Sequence, residues 1–263
     1  MVRERIDKLL VERGLAESRN RAQSMVMAGR VLVGNQRIDK PGHLVEASAE
    51  IRIKGESPRY VSRGGLKLEA ALSRFNLDPQ GKNCIDVGAS TGGFTDCLLQ
   101  HGAVRVWAVD VGHNQMAWQI RQDPRVEVIE GLNARNLSEV AWPVKFDLAT
   151  VDVSFISLTK ILPALVEVLT PEANLVALIK PQFEVGKGEV GKGGIVSDPV
   201  KHRRVITEIA DYACQIGLSV VGLIESPIRG AEGNREFLIH LSRAAKSLAD
   251  ESLNRLIRDL ISE

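Results

Sequence analysis

The stretch Cys84–Phe94, "CIDVGASTGGF", joins a short apolar run to a cluster of small residues. This order predicts a buried strand that ends in a glycine turn, from which a helix begins. Turns of this kind bind nucleotides, because glycine lets the backbone approach the ligand closely. The question is whether this turn holds a phosphate, a dinucleotide or a nucleoside that carries no phosphate.

Two of these three interpretations fit the residues poorly. A phosphate-binding P-loop needs Lys and then Ser or Thr after its last glycine, whereas Phe-Thr follows Gly93. A dinucleotide turn prefers the spacing G-x-G-x-x-G, whereas the glycines here stand at 88, 92 and 93. Asp86, on the strand before the turn, would repel a pyrophosphate. It could bind the cationic amino-acid part of S-adenosylmethionine, directly or through water, so the sequence favours that cofactor.

Two further polar residues follow predicted strands. Asp110 stands 24 residues after Asp86 and could accept hydrogen bonds from both hydroxyls of a ribose, as in dinucleotide and S-adenosylmethionine enzymes alike. Asn133 could contact an adenine or could be an ordinary turn amide, and the sequence leaves both open. The predicted cofactor-binding residues are Asp86, Gly88, Ala89, Ser90, Thr91, Gly92, Asp110, Val111 and Asn133.

Alternating strand and helix patterns continue from Cys84 to the C-terminal region. They predict an α/β fold with a Rossmann-like, mostly parallel sheet and helices on both faces. Ligands of such sheets bind at the carboxyl ends of the strands. The predicted strands are 83–87, 105–109, 126–129, 146–151, 175–179, 218–224 and 236–241, and the predicted helices are 92–101, 114–121, 158–169 and 199–216.

Composition restricts the class of protein. The sequence contains no uninterrupted apolar run of about 18 residues, so we expect no transmembrane helix and no membrane partner. The charged N-terminus lacks the apolar centre of a secretory signal. The three cysteines are scattered without metal-ligand spacing, so we expect no metal and a reducing, cytoplasmic location.

Basic residues concentrate near the N-terminus. Residues 1–65 contain 13 Lys/Arg against 8 Asp/Glu, and the remainder contains 21 against 25. This distribution indicates a basic head that contacts a polyanion, or simply a solvated surface. Ser18 is a predicted N-cap of a helix that stops at Gly29, and Gly34-Asn35 is a predicted hairpin turn. The guanidinium groups of Arg19, Arg21 and Arg30 lie off the apolar face of this helix and suit phosphate contacts.

The segment "AESRNRAQSMVMAGRVLV" resembles the S4-type RNA-binding domain, a small α+β unit, and the resemblance covers roughly residues 3–50. It implies recognition of RNA by shape and backbone. We therefore predict an S4-type domain over 1–56, a linker over 57–62, a methyltransferase domain over 63–245 and a C-terminal helix over 246–263 packed on that domain.

The ends of the fourth and fifth predicted strands carry the chemistry. Asp152 lies where a methyl group would be presented, in "VDVSF", which differs from the Asn/Asp-Pro-Pro-Tyr motif of exocyclic-amine methyltransferases. Cytosine-C5 methylation would require a nucleophilic cysteine near these strand ends, and none is present there. Lys180 closes an apolar strand, where a lysine is either paired or extended to the surface. Lys67 and Glu236 complete a Lys-Asp-Lys-Glu set.

This set resembles the catalytic residues of the FtsJ-type ribose 2′-O-methyltransferases. The whole chain resembles the TlyA family of rRNA methyltransferases, historically labelled hemolysins, through "SRGGLKL", "DVGASTGGFT", "DVGHNQMAW", "VDVSFISL", "KPQFEVGKG" and "GNREF". The resemblance implies methyl transfer from S-adenosylmethionine to a cytidine 2′-oxygen in ribosomal RNA, free or in ribosomal subunits. Lys67, Asp152, Lys180 and Glu236 are then catalytic. Lys180 would act as the general base, or stay charged and orient the hydroxyl.

Two other classes of function stay open from the sequence. A non-catalytic rRNA-binding or assembly factor could retain the fold, although the complete set of four residues argues against it. A membrane-lytic hemolysin is disfavoured because apolar spans and a secretory signal are lacking. The tandem repeat "EVGKGEVGKG" at 184–193 would be a mobile lid over the site or a plain connector.

Overall fold

The computed structural model describes residues 3–54, 59–186 and 188–262. The chain divides into two compact units, Met1–Arg59 and Tyr60–Glu263, here called the N-terminal and the C-terminal unit. The boundary falls inside the predicted linker. Parts of that linker and of the tandem-repeat loop, at 57–58 and 187, lie outside the described residues.

The N-terminal unit combines short helices with two small antiparallel sheets. Strand β1 pairs with β4, and β2 lies between β3 and β5. Ile6, Leu10, Ala22, Val26 and Val31 are fully buried between these elements. The elements are β1 (Arg3–Arg5), α1 (Ile6–Glu12), α2 (Arg19–Met27), β2 (Val31–Val33), β3 (Gln36–Ile38), β4 (Leu44–Glu46) and β5 (Ile51–Ile53).

Local sequence explains where these elements begin and turn. The Ser18 hydroxyl accepts a hydrogen bond from the Arg21 N–H at 3.2 Å, which satisfies one free donor of the first turn of α2. Gly34, with a φ of 61°, forms the two-residue turn between β2 and β3, a conformation that glycine adopts at no steric cost. Both features were predicted from the sequence and are confirmed.

The C-terminal unit contains a seven-stranded sheet in the order β11-β12-β10-β9-β6-β7-β8. Every neighbouring pair is parallel except the two pairs that β12 makes. The predicted, mostly parallel sheet is therefore confirmed. Its elements are α3 (Gly64–Phe75), β6 (Asn83–Val87), α4 (Gly93–Gln100), β7 (Arg105–Asp110), α5 (Trp118–Arg121), β8 (Val126–Glu130), β9 (Phe146–Val151), α6 (Leu162–Val168), β10 (Leu169–Ile179), α7 (Pro181–Glu184), α8 (Pro199–Gln215), β11 (Ser219–Glu225), β12 (Phe237–Ser242) and α9 (Asp250–Ser262). Short 3-10 turns occupy Ala134–Glu139, Leu158–Lys160, Lys192–Gly194 and Ala231–Gly233.

Helices cover both faces of this sheet. Successive residues of a strand alternate between two hydrophobic clusters, with Ile85 in one and Cys84 in the other. The first cluster lies under α6, α8 and α9, and the second lies under α3 and α4. Helix α9 contributes the buried Ile257 and Ile261 to the first cluster.

Several elements differ from their predicted bounds. The helix predicted at 158–169 consists of a 3-10 turn, Leu158–Lys160, and α6, Leu162–Val168, and the C-terminal helix begins at Asp250 instead of 246. The helix predicted at 114–121 is only Trp118–Arg121, because Asn114 adopts a left-handed φ of 57° that no α-helix tolerates. Strand β10 begins at Leu169 instead of 175, and its register against β9 shifts between Leu169 and Asn174. A bulge of this kind interrupts the alternation on which the sequence prediction depended.

Within the described part of the chain, none of the helices has both the length and the apolar character that crossing a bilayer requires. The same residues contain no group of three or more His, Cys, Asp and Glu side chains that could hold a metal ion.

Candidate active site

The carboxyl ends of β6 and β9 form the switch point of the sheet, because the chain continues from β6 to β7 on one side and later reaches β9 on the other. Open α/β sheets bind ligands in the crevice at this point. Two adjoining cavities lie here, and their shared border consists of Gly88, Ser90, Asp152 and Ser154. The wide cavity, about 620 Å³, is lined from the ends of β7 and β8. The lysine cavity, about 330 Å³, contains Lys67 and Lys180.

The glycine turn closes tightly against β9. Gly88 has a φ of 85°, and a Cβ at this position would lie 2.4 Å from the carbonyl oxygen of Asp152. Only glycine fits both the conformation and this approach. Ala89 and Thr91 line the lysine cavity, whereas Gly92, with a φ of 94°, shapes the turn and lines neither cavity.

Asp110 ties the glycine turn to the end of β7. Its carboxylate oxygens accept hydrogen bonds from the backbone N–H of Ser90 at 2.8 Å and of Gly112 at 2.7 Å. The side chain lines the wide cavity, and each oxygen of a carboxylate has a further lone pair. Asp110 can therefore accept two additional hydroxyl hydrogen bonds from a ligand in that cavity.

Asp86 lies behind the turn and not in a cavity wall. Its carboxylate is fully buried and accepts hydrogen bonds from the hydroxyls of Thr95 at 2.7 Å and Thr150 at 2.9 Å. Burial raises the pKa of this carboxyl to about 6, although the two hydroxyls oppose the rise. These hydrogen bonds join α4 and β9 to β6. Asp86 lines neither cavity, and its contact with a cofactor, direct or through water, stays a prediction.

The other predicted cofactor residues lie in the wall of the wide cavity. Val111 is 69% exposed there. Asn133 lines the same wall, and its side-chain oxygen also accepts the N–H of Arg135 at 3.1 Å. Asn133 is thus a turn amide that also lines the cavity, and its contact with an adenine stays a prediction.

The four predicted catalytic residues meet as two ion pairs. The Lys180 ammonium lies 2.6 Å from an Asp152 oxygen and donates to the Ser154 hydroxyl at 3.0 Å. The Lys67 ammonium lies 2.6 Å from a Glu236 oxygen. Both lysine side chains are 11% exposed, so each charge is compensated where little water reaches it.

Four separate elements bring these side chains together. Lys67 lies on α3, Asp152 follows β9, Lys180 follows β10, and Glu236 precedes β12. A Cβ at position 230 would lie 2.0 Å from a Glu236 carboxylate oxygen, so Gly230 leaves the space that this side chain fills.

Phe155 was missed by sequence reasoning. Its ring is 89% exposed, lines the wide cavity and lies 4.8 Å from the ring of Phe183. Its φ of 64° is a strained value for an aromatic residue, and such strain is frequent at functional sites. The available signal was an aromatic residue three positions after Asp152 at a strand end, where an exposed apolar ring has no core to join.

The three arginines predicted to contact RNA lie in different surroundings. Arg19 donates to Asp7 at 3.1 Å, and this buried carboxylate also binds Arg5 at 2.9 Å. Hydrogen bonds from Arg5, from Gln23 and from Arg19 hold the pKa of Asp7 well below its usual range. Arg30 donates to the Lys54 carbonyl at 3.2 Å, and the Arg21 side chain is exposed. Arg19 and Arg30 therefore have structural contacts, and the contact with RNA stays a prediction for all three arginines.

A Rossmann-like methyltransferase is the class that this sheet, its glycine turn and the paired lysines define. The FtsJ-like methyltransferase family matches residues 60–243, and the S4 domain matches residues 4–51. The chain belongs to the FtsJ-like methyltransferases and, within them, to the TlyA family, as the sequence motifs predicted.

Close relatives cover nearly the whole chain. It is 47% identical over 267 residues to the candidate rRNA methyltransferase YqxC of Bacillus subtilis, covering 98% of this chain and 94% of that protein. It is 43% identical over 263 residues to the 16S/23S rRNA (cytidine-2′-O)-methyltransferase TlyA of Mycobacterium tuberculosis, covering 99% and 98%. A solved structure of a candidate hemolysin from Streptococcus thermophilus matches with a TM-score of 0.76 at 46% identity, covering 100% of this chain and 95% of that one.

Proposed function

We propose that the chain transfers a methyl group from S-adenosylmethionine to the 2′-oxygen of a cytidine in ribosomal RNA. The observation that carries the proposal is the position of Lys180 and Asp152, which form an ion pair where the two cavities meet. The name of the Mycobacterium tuberculosis relative supports the same reaction and substrate. A ribosomal RNA substrate is consistent with a cytoplasmic location.

The wide cavity fits the nucleoside part of this cofactor. Its volume of about 620 Å³ lies within the usual range of small-molecule pockets. Asp110 would accept hydrogen bonds from the ribose hydroxyls, while Val111 and Asn133 would contact the base. When bound, S-adenosylmethionine supplies an electrophilic methyl group on a sulfonium sulfur.

Lys180 suits the task of orienting the acceptor hydroxyl. An ammonium has three N–H donors, and Lys180 donates one of them to the Ser154 hydroxyl while its charge is paired with Asp152, so donor capacity remains for a ribose oxygen. The 2′-oxygen must release its proton as its bond to the methyl carbon forms and the carbon–sulfur electron pair returns to sulfur. Asp152, which lies 2.6 Å from the Lys180 ammonium and borders both cavities, would accept this proton. Of the two roles that the sequence left open for Lys180, the ion pair favours the charged, orienting one.

Lys67 and Glu236 form the second half of the site. The Lys67 ammonium lines the lysine cavity and would stabilise the negative charge that develops on the acceptor oxygen. Glu236 holds the ammonium in place at 2.6 Å. Preorganised charges in a partly desolvated cavity stabilise a transition state more strongly than the same charges in water.

Two measurements on the purified chain test the proposal. Calorimetric titration with S-adenosylmethionine should show binding to the wild type, and Asp110→Asn should weaken it by about 1.5–3 kcal/mol, because one carboxylate acceptor becomes a donor. Incubation with isotopically labelled cofactor and ribosomal RNA should place the label on ribose, where it blocks alkaline cleavage of the adjacent phosphodiester. Label on a base would contradict the proposal, and RNA binding with no transfer to RNA or subunits would favour the assembly-factor alternative.

A further inference from the structure

The mouth of the lysine cavity carries positive charge that the proposed chemistry does not use. Arg63 and Arg229 line this cavity together with Lys67 and Lys180. The two lysines are neutralised by their carboxylates, whereas neither arginine has a carboxylate within ion-pair distance among the described residues. Both arginine side chains are exposed, and an Arg63 Nη2 donates to the Arg229 carbonyl at 3.1 Å. The cavity therefore carries two uncompensated positive charges.

We propose that Arg63 and Arg229 bind the two phosphodiester groups that flank the target nucleotide. This inference rests on the proposed function, because a ribose whose 2′-oxygen reaches Lys180 brings one phosphate on each side. Two phosphodiesters carry two negative charges, which match the two uncompensated arginines. A guanidinium binds phosphate oxygens through paired N–H donors and never loses its charge at physiological pH.

The cofactor is a poorer partner for these arginines. S-adenosylmethionine carries a sulfonium, an ammonium and one carboxylate, so its net charge is positive and two additional cations would repel it. A single carboxylate would also leave one of the two guanidinium groups without an anion.

Local structure places the backbone of both arginines at the lysine cavity. Arg63 directly precedes α3, the helix that carries Lys67. The loop that carries Arg229 is held by a hydrogen bond from the Ser226 hydroxyl to the Ile228 carbonyl at 2.8 Å. A second bond runs from the Gly230 N–H to the Asn234 carbonyl at 2.9 Å. Phosphates bound here would place the ribose between them over the lysine cavity.

The test compares Arg63→Gln and Arg229→Gln with Arg203→Gln in the full-length protein. Arg203 is exposed on α8, lines neither cavity and has no ion pair within the described parts of the chain, so its replacement removes the same charge elsewhere. Each cavity variant should raise the KM for ribosomal RNA about tenfold or more, with a smaller effect on kcat. The slope of log affinity against log salt, from direct binding of ribosomal RNA, should become shallower by about 0.7–0.9 for each lost phosphate contact.

Three outcomes would overturn the inference. The first is a KM and a salt slope that equal those of Arg203→Gln, which would make both arginines a solvated rim. The second is weaker binding of S-adenosylmethionine with unchanged RNA binding, which would assign the arginines to the cofactor. The third is active methyl transfer to ribosomal RNA by the wild type, with Arg63→Gln and Arg229→Gln both showing the wild-type kcat/KM. If the wild type transfers no methyl group, the proposed function fails, and the salt slopes still decide whether these arginines contact phosphate.

Discussion

Both units of the chain contain carboxylates that are paired with cations, but the cations of the two units differ in their exposure to solvent. In the N-terminal unit, fully buried Asp7 holds Arg5 and Arg19, whose side chains are 46% and 58% exposed. In the C-terminal unit, Asp152 and Glu236 each hold a lysine that is only 11% exposed. In both units the carboxylates form ion pairs, but the paired cations are exposed in the N-terminal unit and shielded in the C-terminal unit.

This difference in exposure suits the arginines to binding and the lysines to catalysis. Exposed guanidinium groups stay hydrated and screened by salt, so they suit reversible contacts with a phosphate backbone. A lysine that is largely shielded from solvent interacts more strongly with a developing charge, because little water competes with it. The comparison leads to five predictions, which follow from the largest expected effect to the smallest.

The largest effect is expected from Lys180→Ala. Removal of the ammonium should lower the single-turnover rate of methyl transfer by about 10²–10³-fold, the usual range for loss of one preorganised hydrogen-bond donor. Affinity for S-adenosylmethionine should stay close to that of the wild type, because Lys180 does not line the wide cavity. Rapid-quench kinetics and calorimetry measure the two quantities. Lys180→Arg should also be slow, because a guanidinium is larger and planar, and a near-wild-type rate in either variant would remove Lys180 from the mechanism.

The second prediction concerns the stability of the Lys67–Glu236 pair. Glu236→Leu alone should lower the free energy of unfolding by about 3–5 kcal/mol, because it leaves a buried ammonium without a partner. The double variant with Lys67→Met should recover most of this loss and remain inactive. Urea denaturation of the single and double variants measures the coupling. Additive losses would show that the two residues do not act as a pair.

The third prediction concerns Asp86, a buried carboxylate that holds no cation. Its folded pKa of about 6 lies above the unfolded value of about 3.9, so the protein is stabilised below that unfolded value and loses this contribution as pH rises through 6. The loss should be on the order of 3 kcal/mol. Asp86→Asn should abolish this dependence in denaturation curves between pH 4 and 7, and a variant with an unchanged pH profile would contradict the account.

The fourth prediction concerns Asp7 in the N-terminal unit, whose contribution to stability changes with pH in the opposite direction. Because the folded pKa of Asp7 is depressed, its contribution to stability is present above the unfolded value of about 3.9 and is lost as pH falls below it. Asp7→Asn should destabilise the N-terminal unit by about 1–2 kcal/mol at neutral pH, a modest figure because the partner guanidinium groups are half-exposed and screened. Hydrogen exchange of α1 and α2 amides reports on this unit alone. Unchanged protection would show that the ion pairs contribute nothing.

The smallest effect is expected from Arg21→Gln, with Arg19→Gln as its matched comparison. Both changes remove one charge from α2, but only Arg19 contacts Asp7. Arg21→Gln should make the salt slope of RNA binding shallower by about 0.7–0.9 and leave stability unchanged. Arg19→Gln should in addition loosen the N-terminal unit. If Arg21→Gln leaves the salt slope at the wild-type value, the exposed face of α2 does not bind RNA.

The sequence predicted the parts of the site that depend on chain order. Glycines after an apolar strand predicted the turn, and the acidic residue 24 positions after Asp86 predicted Asp110 at the end of the next strand, β7. Lys180 was predicted to belong to the site because a lysine that ends an apolar strand needs a partner. These inferences follow from local pattern and from the rule that parallel strands bind ligands at one edge.

The pairing of charges could not be predicted in the same way. Lys67 and Glu236 are 169 positions apart, and only the tertiary fold decides that they pair with each other. Nothing local in the sequence shows that the hydroxyls of Thr95 and Thr150 enclose the Asp86 carboxylate. The strained backbone of Phe155 depends in the same way on its neighbours and leaves no sequence pattern.

The central claim is that the protein methylates a ribose bound at the lysine cavity. Mapping of modified nucleotides tests this claim most directly. Ribosomal RNA from cells that lack the protein would be compared with RNA from cells that carry the wild type or Lys180→Ala, by mass spectrometry of nuclease fragments. The account predicts 2′-O-methylcytidine at a defined position with the wild type, and an unmodified cytidine at that position without the protein or with Lys180→Ala. Identical methylation in all three samples, or a methyl group on a base, would contradict it.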